Sequence, residues 1–321
     1  MTLPGPTVTS DARPLNLICT HAALDTILET TFIVEVLLGG LKRSIRIRPF
    51  PGDGKIPVMN DGLFLVLNSD LVPVVRHAIR AGCRNIGVLH MGDEFYTSDR
   101  SYYGSVDYVL RNYYKADTLE LPPNARCRQA LWIPNGYRSG LEQGDARALL
   151  AHQHREQLVV FAGCLTTGGQ GLEERGEMME VVKAMDQPAT MITTQGFGLG
   201  LAASAYAALM QNARFALVPG GRNAETIRLY DALEAGAIPI TLRHAFLERT
   251  GPIPDAPFVF LNSWRDLPGW LRANTGALHD IRNVELQRKC LDWWSSLKRQ
   301  CRTRVAALID VSFGEYPTTC Q

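Results

Sequence analysis

Two apolar spacings alternate along this chain. In its second half, short continuously apolar runs at Leu158–Gly163, Thr190–Thr194, Phe215–Val218, Ile238–Thr241 and Phe258–Leu261 are separated by helical patterns. These lie near Glu174–Met185, Leu199–Gln211, Ala224–Ala235 and Trp264–Ala273. Strands that are apolar throughout are buried on both faces, and their alternation with helices predicts a parallel sheet covered on each side. The first half repeats the pattern less regularly, with candidate strands at Ile45–Pro49, Leu63–Asn68, Asn85–Leu89, Asp107–Leu110 and Ala130–Ile133 and a glycine-ended helix over Val72–Gly82. Between the halves, Pro134–Gly140 is rich in turn formers and suits a hinge, so the boundary is expected between residues 135 and 155. The expected class is α/β, with domains at 1–145 and 146–321 and the helix near 284–310 assigned to return and pack on the first. That helix carries Trp293, Trp294, Lys298, Arg299, Arg302 and Arg304 and is expected to bury its tryptophans and solvate its charges, not to bind nucleic acid. There is no internal repeat or low-complexity tract.

Composition narrows the picture by exclusion. With 46% hydrophobic residues over 321 positions, the chain can fill two cores. The 33 basic and 32 acidic side chains leave a net charge of +1, so nothing favours nucleic acid or a membrane surface, and any anion needs a local site. Seven cysteines are scattered singly, which reads as reduced thiols. The N-terminus has neither a basic start nor an apolar run of signal-peptide length. Thr31–Leu41 contains Glu35 and is too short to cross a bilayer. A soluble, cytoplasmic protein without a membrane span is expected; a truncated piece of a Golgi-lumen protein would read the same.

The most informative segment is Phe215–Ile240 (FALVPGGRNAETIRLYDALEAGAIPI): an apolar strand, a glycine-bearing loop, a glycine-closed helix and a second apolar strand. Such a turn is expected to offer free backbone N–H groups to a phosphate. Gly220 and Gly221 permit close approach, Asn223 is the expected N-cap, and Glu225 is placed in the first helical turn, with Thr226 beside it. Arg228 near the helix start suits a diphosphate. Glu234, two turns on and sharing a face with Ile227 and Tyr230, suits a ribose. The blander alternatives are a core hydrogen bond for Glu234 and an Arg228–Asp231 bridge. No Asp-x-Asp pair and no metal-ligand spacing occurs; His152 and His154 are expected to be solvated surface residues.

The same run resembles the C-terminal motif of exostosin-type glycosyltransferases, F-x-L-x-P-x-G…R-x-x-[DE]-A-L-x-A-G-x-I-P, and more closely that of the ribitol xylosyltransferase branch. Ala224 stands where that branch has proline. Ile86–Glu94 (IGVLHMGDE), Val109–Tyr114 (VLRNYY) and Trp132–Gly136 (WIPNG) resemble the branch in the same order, so the resemblance covers residues 85–241. It implies a GT-B fold, two Rossmann-like domains across a cleft, with a nucleotide-sugar donor held mainly by the second.

By that analogy Arg228 contacts the diphosphate and Glu234 the ribose. The loop Gly163–Gly169 with Arg175 adds phosphate contacts, and the Thr193–Gly198 loop, with Thr194, lodges a base; ordinary turn chemistry is the alternative for both loops. Basic side chains and helix N–H groups would neutralise the leaving group, so no metal or other cofactor is expected. A base at a strand end of the first domain would deprotonate the acceptor: Glu94 first, then Asp93, with His90 as orienting partner or substitute. The alternative is that these acids cap the next turn or bond Arg111, which itself could approach the diphosphate. Asp53 reads as a turn residue. The implied activity is inverting, metal-independent transfer from a UDP-sugar, UDP-xylose included, to a glycan or polyol hydroxyl. A nucleotide-sugar epimerase or hydrolase and a non-catalytic nucleotide-sugar-binding protein are the competing readings.

Overall fold

The computed structural model describes residues 13–50, 59–67, 70–141, 149–165, 170–196, 198–247 and 251–314; Asp53 lies outside them. The chain divides into two compact units, one formed by residues 1–134 and 298–321, the other by 135–297.

In the first unit, strands β1 (Leu15–Thr20), β2 (Ile45–Phe50), β3 (Gly62–Leu67), β4 (Ile86–Met91), β5 (Tyr108–Arg111) and β6 (Ala130–Trp132) form one sheet in the order β2-β1-β3-β4-β5-β6. Every neighbouring pair is parallel. β3 and β4 are the fully apolar runs the sequence marks, whereas β2 (IRIRPF) carries arginines and a proline at the sheet edge, where an unpaired side tolerates both. The core beneath joins Ile18, Phe64, Val66, Val75, Val88 and Val109. β1 is a strand the sequence reading did not anticipate: it runs without a turn signal into helix α1 (His21–Thr26), with Thr20 as its N-cap. Helix α2 (Val72–Arg80) follows β3, and the apolar run after α1 forms a π-helical turn at Phe32–Leu37.

The second unit holds β7 (Gln157–Cys164), β8 (Ala189–Thr194), β9 (Ala213–Leu217), β10 (Ile238–Leu242) and β11 (Val259–Leu261), again all parallel, in the order β11-β10-β9-β7-β8. Helices α3 (Gln170–Ala184), α4 (Ala203–Gln211) and α5 (Ile227–Glu234) connect successive strands, and α6 (Leu267–Asn274) follows the last strand. Counted within each unit, the first sheet runs 2-1-3-4-5-6 and the second 2-1-3-4-5. The winding direction therefore reverses between β1 and β3 and between β7 and β9, and at such a reversal a crevice opens at the carboxyl ends of the strands.

Helix α7 (Asp280–Gly314) contributes to both units, which divide it at Leu297 and Lys298. Within the second unit Trp294 is buried and Trp293 sits edge-on to Phe258. Within the first, Asp310 accepts from Nε and Nη2 of Arg43, whose guanidinium lies 3.6 Å over the Phe313 ring. Arg302 donates to the carbonyls of Glu35 and Val36, closing the π-turn; its charge is therefore not simply solvated.

His152 corrects another expectation. It is buried, edge-on to Phe215, with both ring nitrogens lacking a hydrogen-bond partner, whereas His154 is exposed. The six cysteines among the described residues are all buried, and no disulfide joins any of them. No helix among those residues is long and apolar enough to cross a membrane.

Candidate functional site

At the β7/β9 reversal of the second unit, three basic or hydroxyl side chains converge on strand ends. Arg228, in the first turn of α5, is 8% exposed; its Nε donates to the Ala162 carbonyl at 3.1 Å and its guanidinium stacks 4.5 Å over Phe161. It forms no ion pair with any described residue, Asp231 included. Burial pulls its pKa below the ordinary arginine value, partly offset by Tyr206, Asp231 and Cys164. Thr226, the N-cap, has extended backbone, but its side chain makes no capping bond and its buried Oγ1 has no partner. Arg175 on α3 donates from Nε to the Gly220 carbonyl at 2.8 Å and from Nη1 to the Cys164 carbonyl, tying the end of β7 to the loop after β9. A buried guanidinium without a counter-ion and a buried hydroxyl without a partner both cost free energy, and an anion at this strand end would offset both.

The turn before α5 differs from the sequence expectation in four respects. The helix starts at Ile227, three residues late, so Thr226 is the N-cap. Asn223 instead closes the loop, its Oδ1 accepting from Glu225 N and its carbonyl from Gly221 N. The Gly220 N–H is taken by Glu174, whose Oε1 also accepts from Trp264 Nε1. Burial would raise the Glu174 carboxyl, but His244, Gly220 N–H and Trp264 together bring it below the usual range. The Gly220, Gly221 and Glu225 amides are therefore taken, and an acid occupies the place expected to greet a phosphate; the attractive part of the site lies on the Arg228–Thr226 side. Finally, Glu225 precedes the helix and is buried, accepting from Asn135 N and Tyr230 Oη at 2.9 Å each.

Glu234 is also corrected. It ends α5 about 12 Å from the N-cap at 1.5 Å per residue, and α5 runs away from the strands' carboxyl ends. Its Oε2 accepts from Trp294 Nε1 at 2.6 Å and it is 2% exposed. That bond justifies a carboxylate on an apolar face without a ribose, as the blander alternative had it. Thr194 ends β8 and spends its hydroxyl on the Gly196 carbonyl, ordinary turn chemistry; Phe197 and residues 166–169 of the two flanking loops lie outside the described residues.

Sequence reasoning named Asp231 only as a bridge to Arg228; it instead accepts from Arg138 N at 2.7 Å and Tyr206 Oη at 2.8 Å. Burial pushes its carboxyl up to about 6 against those bonds and the nearby arginines. Sequence reasoning missed Arg155, whose three donors reach the carbonyls of Leu150, Ala213 and Ala235, the last at the C-terminus of α5. Apart from Leu150, these partners lie tens of residues away, so no local pattern announces them.

In the first unit, β4 and β5 bring His90, Asp93 and Arg111 together. Arg111 Nη2 donates to Asp93 Oδ2 at 2.7 Å, Nη1 to Tyr103 Oη at 3.1 Å, and Tyr103 Oη meets His90 Nδ1 at 2.5 Å. Asp93 Oδ1 accepts from Thr97 N and Ser98 N. Burial alone would raise the Asp93 carboxyl; the Arg111 guanidinium and the two amides outweigh it and hold the group below the usual range. An ionised, fully bonded carboxylate is a poor base. With His90 and Arg111 also buried, Asp93 is corrected from second-choice base to turn cap, the alternative reading of that acid, and Arg111 from ligand contact to its counter-ion. Glu94 differs: it is half-buried, and its Oε1 accepts from Tyr113 Oη at 3.1 Å. Among the described residues no group of three or more His, Cys, Asp or Glu is placed to hold a metal.

Two all-parallel sheets of this order, with a buried cation at the second reversal, define a GT-B fold. The chain superposes over 95% of its length on all of sucrose-phosphate synthase from Thermosynechococcus elongatus, at a TM-score of 0.54 and 13% identity. It also superposes over 97% of its length on 92% of an α1,3-fucosyltransferase, at a TM-score of 0.50 and 10% identity. Residues 150–313 match the RXYLT1 C-terminal domain model, and the chain belongs to that family. A stretch of 107 residues is 28% identical to ribitol-5-phosphate xylosyltransferase 1 of Danio rerio, covering 30% of this chain and 24% of the relative. The match thus spans about a quarter of the relative's length.

Proposed function

We propose that the chain is a glycosyltransferase that moves a sugar from a nucleotide-diphosphate donor, a UDP-sugar, to a glycan or polyol hydroxyl. The observation that carries this reading is Arg228: a buried guanidinium, aimed by Ala162 and Phe161 at the strand end where the winding reverses, without an ion-pair partner among the described residues. In this reading a diphosphate supplies the missing negative charge and accepts from the Thr226 hydroxyl. As the sugar leaves, charge accumulates on the diphosphate, and a fixed cation in a dry site stabilises that charge more than the ground state. Glu94 takes the acceptor proton, since it is half-buried just past the end of β4 and one of its oxygens accepts from the neutral Tyr113 hydroxyl. Transfer with inversion and without a metal follows the family resemblance. The xylose named in the matched relatives makes UDP-xylose the first donor to try.

The test pairs donor binding with turnover. UDP-xylose and other UDP-sugars should raise the melting temperature by mass action, while GDP-, CDP- and ADP-sugars should do so less. Arg228→Gln should lose the shift, and Thr226→Val, a change of one hydroxyl, should reduce it. Glu94→Gln should keep the shift and lose turnover by about two to four orders of magnitude. An undiminished shift in both Arg228→Gln and Thr226→Val would remove the donor site from α5. Sugar release without any acceptor requirement would replace transfer by hydrolysis.

A further inference from the structure

Phe95 is the one exposed aromatic side chain among the described residues, at 52%; every other described phenylalanine, tyrosine and tryptophan is buried or half-buried. It follows Glu94 in the loop leaving β4, at the carboxyl edge of the first sheet, beside the loop leaving β5.

The two loops are sewn together reciprocally. Tyr113, on the β5 loop, donates to Glu94 on the β4 loop; Tyr96, on the β4 loop, donates to the Tyr114 carbonyl on the β5 loop at 3.0 Å. Both tyrosines hold left-handed backbone, with φ of 59° at Tyr96 and 52° at Tyr113, a conformation that bulky residues avoid unless surroundings impose it. Beneath them the buried Asp93–Arg111 pair fixes the base of the β4 loop. Lys115 lies 5.4 Å over the Tyr96 ring, and Thr97 and Asp99 are exposed farther along the same loop as Tyr96. A lone exposed apolar residue is ordinary. This one stands on a braced platform, next to a half-buried carboxylate, at the strand ends where parallel sheets bind ligands.

An exposed aromatic side chain that directly follows a half-buried carboxylate, in a loop carrying Tyr96 and Thr97, suits a pyranose. One sugar face is a patch of C–H groups that packs on a ring, and the hydroxyls around it need polar partners. We propose that Phe95 is the stacking platform of a saccharide subsite at the carboxyl ends of β4 and β5, with Glu94 at its edge to receive a sugar hydroxyl. The subsite is the acceptor's, and in that respect it rests on the transferase reading above.

The full chain is titrated with methyl β-xyloside, methyl β-galactoside and methyl β-N-acetylglucosaminide by saturation-transfer NMR, with UDP-induced thermal shift measured on the same samples. At least one glycoside should bind. Phe95→Ala should weaken it by about tenfold or more, Phe95→Trp should restore it, and the UDP shift should stay unchanged in both. Because Phe95 is exposed, these changes should leave folding intact, which the unliganded melting temperature checks. No glycoside binding by the wild type, or binding that Phe95→Ala leaves intact, overturns the subsite. A wild type without a UDP shift overturns the transferase reading instead, and leaves the glycoside result to stand alone.

Discussion

His152 sits in the short turn ahead of β7, its ring centroid 4.9 Å from that of Phe215, with both ring nitrogens unpartnered. Burial lowers its pKa to about 4, reinforced by Arg214 and Arg155 and opposed by Asp280. The sign follows from linkage: an imidazole that stays neutral in the fold but charges when unfolded contributes stability that is complete above its ordinary value and is lost as pH falls through about 4. The full effect is about 3 kcal/mol at 1.36 kcal/mol per unit. Asp231 works the other way: its contribution is complete below the ordinary aspartate range and is lost as pH rises through about 6. Urea midpoints of the wild type and His152→Phe, compared between pH 6.5 and 4, should diverge in slope, with the variant losing less on acidification. Parallel slopes would mean that the imidazole is hydrated or paired in solution. Neither residue was legible in the chain, because a histidine two positions from another says nothing about what covers it.

At the scale of the element, α5 separates what local chemistry can announce from what it cannot. Its C-terminus was readable: Gly236 takes φ of 72°, and Ala237 N returns to the Ala232 carbonyl, as a helix-ending glycine permits. Its N-terminus was not. Asn223 has the chemistry of a cap, yet loop closure takes its side chain and the helix waits for Thr226. The cause is α3, whose Glu174 and Arg175 bind the Gly220 amide and carbonyl from 46 and 45 residues away. Two glycines of α3 test that packing. A Cβ at Gly171 would collide with the Gly221 carbonyl oxygen, whereas one at Gly176 meets nothing. Gly171→Ala should therefore destabilise by about 1–3 kcal/mol. Gly176→Ala should stabilise by up to about 1 kcal/mol through helix propensity. Equal effects in denaturant titrations would show that α3 does not press on the loop.

On the scale of the whole molecule, the first unit is assembled from both ends of the sequence. Cys301, Val305, Ile309 and Phe313 are buried, while Asp310 and Phe313 engage Arg43 and Arg302 closes the π-turn. A chain ending at Leu297 should lose hydrogen-exchange protection in β3 and β4 while β7 and β9 stay protected. Equal protection in both sheets would show that the first unit is complete without its returning helix segment.

Ten of the eleven described strands were announced by the sequence, most of them by apolar runs, since a strand buried on both faces must be apolar whatever its neighbours; the glycine-ended helices were announced with them. The edge strand β2, with its arginines, is the exception to the apolar pattern. The eleventh, β1, reads as a strand only once β2 and β3 flank it. Fold class, the position of Arg228 and the acid loop at residues 93–94 thus came from local chemistry. Which acid stays accessible, where α5 begins and why Glu234 is buried were decided by tertiary structure. Each depends on a partner tens of residues away, Tyr113 for Glu94 and Trp294 for Glu234 among them, and only packing brings such partners within hydrogen-bond reach.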